Sequence, residues 1–253
     1  MLMKIINTLK LVGIAALIFL LPGCASSSKG RDFSPYAPMG LAMVASNYDI
    51  NWVGEVTYNS SGSVSDFIRR SLGLKTEKDK VRISRADDLI NEADTLLREI
   101  LTKAEIFRLE DKDRLLNTAS YAGVKSVQPP NTPEMIFADA YRFINYRNKD
   151  FPGEIARETG IQSILYITFK FSKEMISGIG KSGKCRARVI MTATLVNPAG
   201  KIIYNKDFET HSYDKIEVKD GAYSQDELME LFKEPIGEAC YRFVWAFTGT
   251  PPS

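Results

Sequence analysis

Residues 185–196 constrain this chain most. Cys185, Ala187, Val189, Met191, Ala193 and Leu195 place an apolar side chain at every second position. A period of two fits a strand that lays one face on a core. The end of the chain carries the complementary signal. Leu228, Phe232, Ile236, Cys240, Phe243 and Phe247 recur at spacings of three and four, the stripe of a helix that covers such a face. Strands over 162–173 and 201–211 flank the alternating run, and Asn197-Pro198-Ala199-Gly200 supplies the turn into the last of them. Ser224-Gln225-Asp226-Glu227 is a capping box that opens the final helix. Pro235 is expected to kink or restart that helix.

Upstream, residues 41–45 read as a first strand running on towards Trp52, residues 59–63 as a loop and 66–72 as a short amphipathic piece. A strong helix spans 85–103, with Ser84 as its cap and a stripe of Ala86, Leu89, Ile90, Ala93, Leu97, Ile100, Leu101 and Ala104. Residues 106–109 form a short strand, and Asp111 caps a second helix through Leu115, Leu116 and Ala119. After the break at 129–133, the spacing of Phe137, Tyr141 and Ile144 predicts an aromatic-rich helix over 134–146. A short helix over 152–159 ends at Gly160. The order predicts an α/β fold: one layered domain, a mixed sheet with a C-terminal three-strand antiparallel meander, and packed helices.

The amino-terminal 23 residues are of another kind. Lys4 and Lys10 precede an apolar run, 11–21, that closes on Leu21-Pro22-Gly23-Cys24. A basic start, a short apolar core and a small residue before the cut make a secretory signal. The run falls short of the ~20 residues that span a bilayer as a helix. With the cysteine placed directly after, the segment resembles the lipobox of bacterial lipoproteins. That resemblance implies a signal peptide over 1–23, acylation of Cys24 with diacylglycerol and an amide-linked palmitate-type chain, and a flexible tether over 24–38. Ala25 is not the aspartate that would retain the protein at the inner membrane. An outer-membrane address facing the periplasm is expected, with the domain over 39–250.

The full chain carries 33 basic and 31 acidic residues. Removing Lys4 and Lys10 leaves 31 of each, formally neutral, so a nucleic-acid surface is not expected. Cys185 and Cys240 both point inward by their patterns and lie in an oxidising compartment, so they either pair or remain two buried thiols.

The succession of residues 41–45, the 85–103 helix, Glu105-Ile106-Phe107-Arg108-Leu109 and 111–119 resembles a known periplasmic domain, as does the entry Gly160-Ile161-Gln162-Ser163-Ile164-Leu165-Tyr166-Ile167 into the last meander. Curli-secretion lipoproteins, penicillin-binding-protein-activator lipoproteins and the amino-terminal domain of TolB share it. The resemblance implies a partner among envelope-assembly or secretion proteins.

Residues that could carry chemistry have plainer readings. Gly178-Ile179-Gly180-Lys181-Ser182-Gly183-Lys184-Cys185 approaches a phosphate-binding loop, but Cys185 replaces the hydroxyl and a strand follows where a helix is needed. His211 is the sole histidine, which removes paired-histidine zinc motifs and leaves a surface histidine at a strand end. Asp87, Asp88, Asp94 and Glu99 fall on the polar side of their helix, a solvated face. The sequon at Asn59 carries little weight in a lipoprotein. No catalytic residue, cofactor or metal ligand is expected.

Aromatic and basic residues are the better lead. Tyr48, Trp52 and Tyr58 flank the first strand, and Phe137, Tyr141, Phe143, Tyr146 and Phe151 cluster before the meander. With Arg142 and Arg147 they form either a second core layer or a docking surface, whose candidate residues are Trp52, Tyr141, Arg142, Tyr146 and Arg147. The expected function is that of a non-catalytic, membrane-anchored protein-interaction module in envelope assembly or secretion. The alternative is a lipoprotein that holds a small molecule or lipid.

Overall fold

The computed structural model describes residues 36–53, 86–105, 107–125, 134–179 and 181–249. The segments read above as signal, loop and amphipathic piece, with Ser84 and residues 24–35 of the tether, lie outside them; of the last tether residues, Ala37 is buried and Pro38 is already strand. Among the described residues there are eight strands and five helices: β1 Pro38–Asn47, β2 Asn51–Trp52, α1 Ala86–Lys103, β3 Arg108–Leu109, α2 Lys112–Leu116, α3 Ala119–Gly123, β4 Met135–Phe137, α4 Asp150–Thr159, β5 Ser163–Ile179, β6 Ser182–Val196, β7 Ile202–His211, β8 Ile216–Val218 and α5 Gln225–Thr248. Among the described residues no helix is long and apolar enough to cross a membrane.

The strands form one open mixed sheet with the main order β3-β1-β5-β6-β7. β1 runs parallel to β3 and β5, while β5, β6 and β7 form the expected antiparallel meander. β2 extends the β5 edge, β4 pairs antiparallel with the end of β1, and β8 continues beyond β7 along β6. Strand β1 is buried through all its interior residues, as a central strand covered on both faces should be.

The alternation of β6 is realised. Cys185, Ala187, Val189, Met191, Ala193 and Leu195 are all fully buried, under α5, whose Cys240 sulfur lies 3.9 Å from that of Met191. Ser224 caps α5 through the backbone N–H of Glu227, and Gly249 ends it at φ 69°. Helix α1 shares that layer: Glu92 meets Lys233, and Leu96 lies against Gly237. On the opposite face Gly40 leaves room for Leu115 of α2, and Tyr121 of α3 packs on Phe151 of α4. Around β1 the sheet is therefore the middle of three layers, whereas β7 carries a helix on one face. Asp111 caps α2 and Gly160 closes α4 in the left-handed region, both as the sequence predicts.

Two expectations change, and two open alternatives narrow. No helix spans 134–146: Met135–Phe137 pairs with Ala45–Asn47, Ala138 N–H donates to Val44, and Ala140 turns the chain at φ 66°. The helical spacing there reflects a turn that delivers Tyr141 and Ile144 to the core separately. Strand β5 runs six residues past its expected end at Lys173, to the hairpin tip at Ile179, while β6 begins at Ser182 and ends, as expected, at Val196. Helix α5 continues through Pro235 without restarting. Cys185 and Cys240 are free thiols. Cys240 sits over Met191, six residues along β6 from Cys185, or about 20 Å, whereas a disulfide needs Cα atoms within about 7 Å.

Candidate functional site

The structure scatters the five residues proposed from sequence as a docking surface. Trp52 lies half-buried in β2, edge-on to Tyr223 with ring centroids 6.0 Å apart. The ammonium of buried Lys173 fills the space between them, 4.9 and 5.0 Å from the two rings, and donates to the Tyr223 hydroxyl at 2.8 Å. Tyr141 is buried in a polar knot. Its hydroxyl donates to Asp94 and accepts from Arg98, while Lys112 and Arg98 pair with the same carboxylate at 2.7 and 3.2 Å. Burial pushes the Tyr141 hydroxyl well above its usual range, and the Asp94 charge adds to this. Asp94 itself, expected in solvent, is only 5% exposed.

Arg142 also turns inward. Its guanidinium lies 5.1 Å from the Tyr121 ring centroid and donates to Ala122 at 3.3 Å. Tyr146 is half-buried against Tyr166, and only Arg147 of the five stands exposed. Trp52 pairs with Lys173, seven residues along β5 from Tyr166, so it lies about 23 Å of strand away from the Tyr146 group. The second-core-layer reading describes these residues better.

The glycine-rich stretch is the close of a hairpin. Gly178 and Gly183 face each other, and a Cβ on Gly183 would sit 1.9 Å from the Ser177 carbonyl oxygen. Strand lies on both sides, so no helix amino terminus is available for phosphate. His211 is more enclosed than expected, with Nε2 3.5 Å from both Glu174 and Glu209. Burial, with Arg186 next, holds its pKa below the ordinary value. Burial raises the thiols of Cys185 and Cys240. Among the described residues no group of three or more His, Cys, Asp or Glu is placed to hold a metal.

A different surface emerges on the outer side of α5. The core stripe of this helix leaves Tyr241 and Trp245 on its far flank, 43% and 44% exposed. They line an open groove of about 1090 Å³ whose other wall is β7, with Lys206, Phe208 and Glu209, and whose floor includes Gly237. Strand β7 ends the sheet's main order. The bond from Ser212 N–H to the Ala187 carbonyl makes Arg188 and His211 a non-hydrogen-bonded pair. Alternation along the regular register then gives the same status to Glu209, Asp207 and Asn205. Their N–H and C=O groups point away from β6. Arg242 of α5 reaches one of them, donating to the Glu209 carbonyl at 3.0 Å. A second open cleft, of about 910 Å³, lies between α3 and α4, and Glu158 accepts there from Ala119 and Ser120 N–H at 2.8 and 2.9 Å.

The sequence matches no protein-family model and no curated protein. Among solved structures it is similar to the C-terminal domain of LpoB from Salmonella enterica. The match covers 72% of this chain and 87% of that one at 14% identity, with a TM-score of 0.34. A likeness at this level extends to no functional conclusion.

Sequence reasoning missed the α5–β7 groove because it read α5 through its apolar stripe. The available signal was two aromatics four residues apart, Tyr241 and Trp245, off that stripe on a helix whose core positions were already accounted for.

Proposed function

We propose that this chain is a non-catalytic bacterial envelope lipoprotein, held to the outer membrane through acylated Cys24 and binding another envelope protein on the periplasmic side. The observation that carries the interaction reading is the α5–β7 groove, where Tyr241 and Trp245 stand exposed beside an open sheet edge. Partly exposed aromatics next to an arginine are the anchors that protein interfaces favour. The anchor reading rests on the layout of residues 1–24. A non-catalytic role agrees with thiols that are buried and raised, which makes poor nucleophiles.

The test uses the full chain in the bacterial cell. A photo-crosslinking amino acid replaces Trp245 in one variant and the exposed Tyr36 in a control. One discrete adduct with an envelope protein is expected from position 245 and not from 36; no adduct from 245 would overturn the interaction reading. Cys24→Ala separately tests the anchor. It should move the protein out of the membrane fraction or leave it unprocessed, and unchanged membrane retention of a processed chain would end the lipoprotein reading.

A further inference from the structure

The edge strand and the groove beside it also carry information about what binds. Even-numbered side chains of β7 face α5: Phe208 meets Phe243 edge-on at 5.9 Å, and Thr210 donates to the Pro235 carbonyl at 2.7 Å. Odd-numbered side chains face the uncovered side of the sheet: Asp207 accepts from Thr192, and Glu209 pairs with Arg188 at 2.7 Å. The two flanks of the edge therefore differ in chemistry. The α5 flank presents Tyr241 and Trp245 among the charged side chains of Lys206, Lys233, Glu234 and Glu238, and the other carries the carboxylates of Asp207 and of Glu209, the latter shared with Arg188.

Between the flanks runs the backbone itself. The N–H groups of Asn205, Asp207 and Glu209 and the carbonyls of Asn205 and Asp207 point outward, and the Arg242 guanidinium closes the row at the Glu209 carbonyl. An extended chain laid along this row would pair its backbone with β7 and send alternate side chains to opposite flanks. Residues on the α5 side would meet aromatic surface, and those on the other side would meet two carboxylates.

We propose that β7 accepts an added strand from its partner, an extended segment in which apolar residues alternate with lysine or arginine. This rests on the interaction reading above and specifies the partner's chemistry. The acidic flank supplies the charge complementarity, and the spacing of two follows from strand geometry.

The probe is a blocked peptide of about seven residues, the length of a common strand, alternating valine and lysine. Titrated into the purified mature protein and read by calorimetry, it should bind saturably. Its valine–glutamate counterpart should bind at least about tenfold more weakly. So should a version N-methylated on the residues whose amides would face β7, which tests backbone pairing without altering the protein. Asp207→Pro should weaken the valine–lysine peptide to a similar degree. Its lost N–H points outward, so the β6 ladder survives; Trp245→Ala supplies a second variant should that one misfold.

Absence of binding by the valine–lysine peptide, or equal binding by its N-methylated or glutamate forms, overturns the proposal. A dimer in sedimentation that Asp207→Pro abolishes would assign the edge to a second copy and overturn it as well. If the peptide fails while position 245 still crosslinks in cells, the interaction reading stands and the strand-addition proposal falls.

Discussion

Tyr121 shows how one side chain repairs an irregularity at the centre of the fold. The β1–β5 register shifts between Leu41 and Met43, which leaves Ala42 without a partner on β5. The Tyr121 hydroxyl donates to the Ala42 carbonyl at 3.1 Å and accepts from the Arg142 N–H at 3.3 Å. Burial pushes its pKa up to about 12, so it remains a donor across the physiological range. Tyr121→Phe keeps the ring against Phe151 and strips both backbone groups of this partner. Leaving buried groups unsatisfied costs about 1–3 kcal/mol, and for a domain of this size each kcal/mol lowers Tm by roughly 2–4 °C. A thermal melt of the mature protein checks this, and an unchanged Tm would deny the hydroxyl that role. The cysteines give a second prediction at this scale. Cys185 and Cys240 are separated along β6 by about 20 Å, so alkylation after denaturation without reductant should label both. A peptide linking 185 to 240 would contradict the packing of α5 on β6.

Among the elements, α5 holds the structure together at one end. Phe243 stacks on Phe107 at 5.7 Å and meets Tyr204, Phe208 and Phe247 edge-on. It is fully buried, and truncation of such a side chain costs about 3–5 kcal/mol. Phe243→Ala is expected to lower the unfolding free energy read from denaturant titration by that amount, whereas Trp245→Ala, two residues on and half-exposed, should leave it nearly unchanged. Equal losses would mean that the flank is core and not surface. This helix and β6 were also the most legible parts of the sequence, because each shows a single period against one buried face. Residues 134–146 were not. Phe137, Tyr141 and Ile144 mimic a helical stripe, yet backbone pairing to β1 and the turn at Ala140 decide the conformation, and both depend on contacts distant in sequence. The candidate surface failed for a similar reason. Tyr141 looks like an interface aromatic until Asp94, Arg98 and Lys112 are seen to converge on it. The open edge of β7 cannot be read from sequence, since strand order is set by the whole sheet.

At the scale of the molecule, acid should act in one direction. His211 is faced by Glu174 of β5, Arg186 and Arg188 of β6 and Glu209 of its own strand. Burial, and then Arg186, outweigh the two glutamates and lower its pKa from 6.5. Between that lowered value and 6.5 the unfolded chain holds more protons than the folded one, so stability falls as pH drops through this window. Glu209 is lowered from 4.5, chiefly by its hydrogen bond to Arg188. Its contribution is present above 4.5 and is lost as pH falls through the lower folded value. The two signs agree, and they act in successive ranges. Melting temperatures measured from neutrality downward should decline first near the histidine range and again near the carboxylate range. His211→Gln should remove the first decline and spare the second, because Arg188 still reaches Glu209. A Tm that rises on mild acidification, or a first decline that survives in His211→Gln, would show that this cluster does not govern the response of the folded domain to acid.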